Sequence, residues 1–208
     1  MTLPRPAARI SRLMLGLVLL VAAGLVGAFL AAPDRPVEGS PEAGFSRDMA
    51  VHHTQAVEMA LIIRDNTDDA ELRTIALDML LTQQNQIGRM QDWLIQWGLP
   101  LTGARRPMEW MGGHHGGGGT ADYTKMPGMA SQQDLARLRE ARGRDAEVLF
   151  LTLMIAHHQG GVDMAEAVLP LTDDAHVRSL ARSIVRSQSA EITVLKQLLE
   201  DRGGSPAS

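Results

Sequence analysis

Apolar side chains recur at steps of three and four along two long stretches of the chain. Leu72, Ile75, Met79, Gln83, Ile87, Met90, Leu94 and Trp97 form one stripe, and Val177, Leu180, Ile184, Gln188, Ile192, Leu195 and Leu199 form the other. That spacing gathers them on one face of an α-helix and predicts two amphipathic helices. Each stripe follows a Thr-Asp-Asp-Ala turn, Thr67 to Ala70 and Thr172 to Ala175. Thr67 and Thr172 are the expected N-caps, and the aspartates suit the positive end of the helix dipole. A further helical stretch precedes the first turn, from about Phe45 to Asp65, and its partner runs from about Asp68 to Trp97. Gly98-Leu99-Pro100 then breaks the pattern.

The two halves are copies. Shifting the chain by 105 residues lays Phe45 to Leu94 over Phe150 to Leu199 without a gap, and sixteen of fifty positions are identical. Met49, His52, His53, Val57, Met59 and Ala60 fall on Met154, His157, His158, Val162, Met164 and Ala165. One register held through an intervening turn indicates duplication of a helical hairpin. Neither hairpin can bury its apolar face alone, so the expected fold is all-α, a four-helix bundle built from hairpins 45–97 and 131–201. Residues 98–130 form a long crossover rich in Gly, Met and His, able to span a bundle or to act as a flap. Near its end Ser131 is positioned to cap a short helix reaching Leu138. Residues 202–208 read as a disordered tail.

The N-terminus carries a different signal. Arg5, Arg9 and Arg12 lie in a basic segment, 1–12, ahead of an uncharged apolar run at 13–32 and a linker at 33–44. Twenty apolar residues suffice to cross a bilayer, with the basic end cytoplasmic and the rest of the chain outside. The run is expected to be a retained single-pass anchor or a cleaved signal, with Val26-Gly27-Ala28 or Leu30-Ala31-Ala32 as cleavage sites. The product is then membrane-held, or else periplasmic or secreted.

Composition narrows the chemistry. Hydrophobic residues make up 45% of the chain, including 12 Met but only three Phe, three Trp and one Tyr, which favours helix over strand. A net charge of -4 gives no reason to expect nucleic acid. Cysteine is absent, so disulfides, thiolate zinc sites and cysteine nucleophiles are excluded. A soft-metal ligand must be a Met thioether or a His imidazole.

At about 100° per residue, Met49, His52, His53 and Met59 share one broad helix face, and Met154, His157, His158 and Met164 reproduce it. Glu58 and Asp163 point to the opposite side. Mixed thioether and imidazole donors favour Cu(I), and imidazole also accepts Cu(II), whereas zinc prefers carboxylate or thiolate partners. Di-iron bundles use inward Glu and Glu-x-x-His motifs, which are lacking here. Gln83 and Gln188, polar members of apolar stripes, are expected to orient the ligating rings. A turn centred near Asn66 would set Leu80 and Leu81 at the level of the first pair. Met108, Met111, His114, His115, Met126 and Met129 repeat the same ligand types in the crossover and form a second candidate set. Three functions follow: copper sequestration or transfer to an accepting protein, a ferritin-like oxidoreductase using iron or copper, or a metal-free tethered interaction module. Self-association is compatible with each.

The paired segments Phe45-Ser-Arg-Asp-Met-Ala-Val-His-His-Thr-Gln-Ala-Val-Glu-Met-Ala60 and Phe150-Leu-Thr-Leu-Met-Ile-Ala-His-His-Gln-Gly-Gly-Val-Asp-Met-Ala165 closely resemble those of bacterial ferritin-like proteins of the domain of unknown function family three hundred and five. The likeness covers about Phe45 to Asp201. It implies a ferritin-like fold, export and, for some members, copper binding and tolerance, with no established enzyme activity. The family motif maps onto Met49, His52, His53, Met59, Met154, His157, His158 and Met164. The insert with His114 and His115 lies outside it.

Overall fold

Caps and prolines set the helix starts. In the computed structural model, which describes residues 14–18, 20–21, 35–103, 105–111 and 126–205, α1 spans Pro41–Asn66 and α2 spans Ala70–Gln96. A 3-10 turn at Glu109–Met111 and the short α3, Gln132–Glu140, follow. Helices α4, Gly143–Val168, and α5, Ala175–Asp201, complete the fold, and no strand occurs among the described residues. Ser40 caps α1 ahead of Pro41. Ser131 caps α3, as expected, and the structure adds a full capping box with Asp134.

The caps of α2 and α5 differ from expectation by two residues. Asp69 and Asp174 are the N-caps, accepting from Leu72 N and from His176 and Val177 N. Thr67 and Thr172 instead accept from Asp69 N and Asp174 N, at 3.0 and 3.1 Å, and hold the cap in place. Arg73 and Arg178, equivalent in the repeat, donate back to the carbonyls of Thr67 and Thr172. The repeated Thr-Asp-Asp-Ala-x-x-Arg pattern is therefore one turn built twice. Arg202, at the end of α5, pairs with Asp69 and Glu147 and ties the first hairpin's turn to the second hairpin. This contact orders the beginning of the segment expected as a loose tail.

Helix α1 packs on α2, α4 on α5, and the hairpins meet chiefly where α1 crosses α4. Two apolar clusters result. One joins Met59, Ala60 and Ile63 to Phe150, Met154 and Ile155, and to Leu72, Met79, Leu195 and Leu199. The other joins Phe45, Met49 and Ala50 to Met164, Ala165 and Val168, and to Ile87, Met90, Val177 and Ile184. The start of α1 thus meets the end of α4, and the reverse. Equivalent residues exchange places, as a local two-fold axis through the crossing requires.

Residues 1–35 form a separate unit, of which 14–18 and 20–21 are described and helical. Among the described residues no helix is long and apolar enough to cross a membrane. Most of the apolar run at 13–32 lies outside the described residues.

Candidate metal centre

Between the two apolar clusters the core turns polar. His52, His53, His157 and His158 are each 0% exposed at the crossing of α1 and α4, with Gln83, Gln86 and Gln188 buried nearby. The rings of His52 and His157 lie 3.8 Å apart between centroids, tilted by 31°. Ala56 and its equivalent Gly161 make room on the helix faces, and Gly161 abuts the side-chain oxygen of Gln188.

Every imidazole is held in the same way. His52 Nε2 donates to Pro127 O at 2.9 Å, and His53 Nε2 donates to Gln86 Oε1 at 2.6 Å. His157 Nε2 donates to His52 O at 2.9 Å, and His158 Nε2 to Glu191 Oε2 at 2.6 Å. All four partners are acceptors, so each ring carries its proton on Nε2. The four Nδ1 atoms are buried with no partner, as are both amide atoms of Gln83 and of Gln188. Buried nitrogen lone pairs left bare are costly and uncommon. A ring anchored through one nitrogen with the other free is the arrangement of a metal-ligating histidine. The donors present fit a soft cation.

The orienting residues are not Gln83 and Gln188 but Gln86 and Glu191, themselves equivalent in the repeat. The turn residues 67–69 precede the first turn of α2, so His53 faces Gln86 and not the level of Leu80 and Leu81. Glu191 also brings a carboxylate to the site from α5, where the α1 and α4 faces alone offer none. Glu58 pairs with Arg139 at the surface, and Asp163 is exposed. Met49 and Met164 flank the polar layer from one apolar cluster, Met59 and Met154 from the other, all fully buried. Among the described residues no three His, Asp or Glu side chains converge to hold one ion unaided. A centre here needs thioethers beside the imidazoles.

The crossover returns as a strap over this site. Besides Pro127 O on His52, Gln55 accepts from Ala130 N and donates to Ala130 O, at 2.7 and 2.9 Å. Met126 and Met129 pack with the second apolar cluster, as does Met108, so these thioethers are not displayed on a free loop. Met111 is 40% exposed, and His114 and His115 lie outside the described residues. Sequence reasoning missed Asp48, whose carboxylate accepts from Met108 N and Trp110 Nε1 and fastens the crossover's first part to α1.

Burial controls the charge. Desolvation lowers His52 to about 4 and His53 to about 3, and holds His157 well below the ordinary 6.5. These three rings are thus neutral and ready to ligate at neutral pH. The unfolded chain takes up protons that the fold refuses, so this stability is complete above about pH 6.5 and is lost as pH falls toward 4. Asp48, raised to about 6 by desolvation, acts in the opposite direction between about 6 and 3.8. Three imidazoles outweigh one carboxyl. The melting temperature of metal-free protein should fall between pH 6.5 and 4, and more steeply in Asp48→Asn; a flat profile would contradict the burial argument.

The orphaned amides allow a second check. Replacing Gln83 and Gln188 with leucine removes four unpartnered polar atoms, and should stabilise the metal-free protein by about 2–4 kcal/mol in urea denaturation. A loss of stability would mean those amides are satisfied in solution.

These features define an all-helical protein of two duplicated hairpins sharing a buried histidine layer. The chain belongs to the family described as Domain of unknown function (DUF305), whose model matches residues 42–199. Among solved structures, a DUF305 protein from Streptomyces coelicolor, inferred to be secreted, is 43% identical over 82% of this chain and 98% of its own, with TM-score 0.74. A DUF305 fragment from Deinococcus radiodurans is 32% identical over 80% and 99% of the two chains, with TM-score 0.65. CopM in the Cu(I)-bound form is 26% identical over 77% and 96%, with TM-score 0.59. No functionally curated protein matches the chain significantly.

Proposed function

We propose that this chain is an extracytoplasmic copper-binding protein that sequesters the ion or hands it to an accepting protein. The observation that carries this reading is the set of four buried imidazoles, each anchored through Nε2 with Nδ1 bare. His52, His53, His157 and His158 supply nitrogen donors, and Met49, Met59, Met154 and Met164 supply thioethers, a combination suited to Cu(I). The two hairpins serve as a ferritin-like four-helix frame for them. CopM, structurally similar to this chain, has been solved with Cu(II) and with silver as well as with Cu(I), which supports a soft or borderline cation here. The inferred secretion of the Streptomyces coelicolor neighbour supports a place outside the cytoplasm, with 13–32 as the export signal or anchor. The test is copper affinity, by chelator competition on tag-free protein, with and without the four imidazoles.

A further inference from the structure

The histidine layer is sealed from solvent, so a cation must reach it by some route. A groove of about 370 Å³ opens between the first turns of α2 and the last turns of α5, lined by Thr74, Ile75, Asp78, Met79, Glu191 and Val194 among others. Asp78 is exposed and sits on the wall, while Met79 is buried beneath it. Glu191 belongs to both environments. Its side chain is 27% exposed in the groove, and its Oε2 accepts from fully buried His158, whose Nδ1 has no partner.

The duplication provides an internal comparison. At the equivalent positions of the other half, Asp78 becomes Ser183, Glu191 becomes Gln86 and Val194 becomes Arg89. Two carboxylates are replaced by a hydroxyl and an amide, and a valine by a cation. Arg89 lies over the Trp93 ring, 5.6 Å from its centroid, and Trp93 also faces His176. One side of a nearly symmetric core is thus acidic and open beside its histidine. The other is basic and aromatic. A field of that sign raises the local concentration of cations on the first side and lowers it on the second.

We propose that the groove between α2 and α5 is the cation's port of entry, with Asp78 collecting the ion and Glu191 passing it to the His158 side of the layer. This rests on the metal-binding reading. As the ion arrives, Glu191 serves as the intermediate oxygen ligand, and its hydrogen bond keeps the His158 ring turned with Nδ1 toward the layer.

Loading kinetics with Ag(I) as the probe, followed by stopped-flow intrinsic tryptophan fluorescence and checked by competition with a chromophoric chelator, test the port directly. Thr74→Trp fills the groove from an exposed position and should slow loading and release by a common factor. Ser179→Trp, its equivalent on the other half, should leave both rates at the wild-type value. Asp78→Asn should slow loading about threefold at low ionic strength, and the difference should fade as salt rises. Equal effects of Thr74→Trp and Ser179→Trp, or none from Thr74→Trp and Asp78→Asn in protein that still binds silver, would overturn the port. Wild-type protein that binds no silver or copper would instead overturn the metal-binding reading beneath it.

Discussion

Copper affinity is expected to fall by on the order of a thousandfold when His52, His53, His157 and His158 are all replaced by leucine, while the metal-free fold persists. The affinity loss follows from removing every nitrogen donor, since even loss of a ligand's supporting partner typically costs about 10–100-fold. Persistence of the fold follows from what the substitution removes. Four orphaned Nδ1 atoms disappear, each worth about 1–3 kcal/mol of uncompensated desolvation. Four Nε2 hydrogen bonds go with them, worth about 1 kcal/mol each. Of the acceptors left behind, His52 O retains its helical bond and Glu191 reaches water, leaving Pro127 O and Gln86 to find partners. The losses do not exceed the gains, and leucine fills nearly the same volume. Isothermal titration with a competing chelator reads the first quantity, and urea denaturation the second. Undiminished copper affinity would sink the assignment of the site.

Alanine at Gly128 should destabilise the protein by about 2–5 kcal/mol, the largest loss expected from a single added methyl group. Gly128 has φ +73°, in the left-handed region, and a Cβ there would collide with the backbone of Ala156 and His157. Neither can retreat, because both lie inside α4. Gly160 presses on the strap from the helix side, where a Cβ would strike the Pro127 carbonyl. Gly160→Ala should therefore repeat much of the loss without any backbone strain. Gly88 is the control. It is a helix-interior glycine with nothing near its missing Cβ, so alanine there should stabilise by about 0.5–1 kcal/mol. Lifting the strap also removes Pro127 O from His52, so weakened copper binding should accompany the lost stability. If Gly128→Ala proves as stable as wild type, the strap is not packed against α4 in solution.

The hairpins, their equivalence and the His-Met faces were legible in the sequence because each rests on local periodicity repeated at one offset. The partners of the rings were not. Choosing Gln86 over Gln83 required knowing where the turn folds back, and Thr67-Asp68-Asp69 extends the connection before α2 begins. Asp69 outcompetes Thr67 as the cap because the threonine hydroxyl is already spent on Asp69 N. Pro127 and Asp48 were hidden for another reason. Their contacts join residues 75 and 60 positions apart in aperiodic chain, where no repeat or spacing announces a pairing. Glu191 was nearer to view, since its alignment with Gln86 marks an acid beside the duplicated stripe, one position before Ile192.

The crossing of α1 and α4 has a consequence for how such a molecule is held together. His157 bonds to the main chain of His52, and the two rings lie in close contact, so neither hairpin owns the centre. An ion seated there would rivet one half to the other. Nicked within the crossover, the two fragments should part more readily without copper than with it, and either one alone would be half a socket.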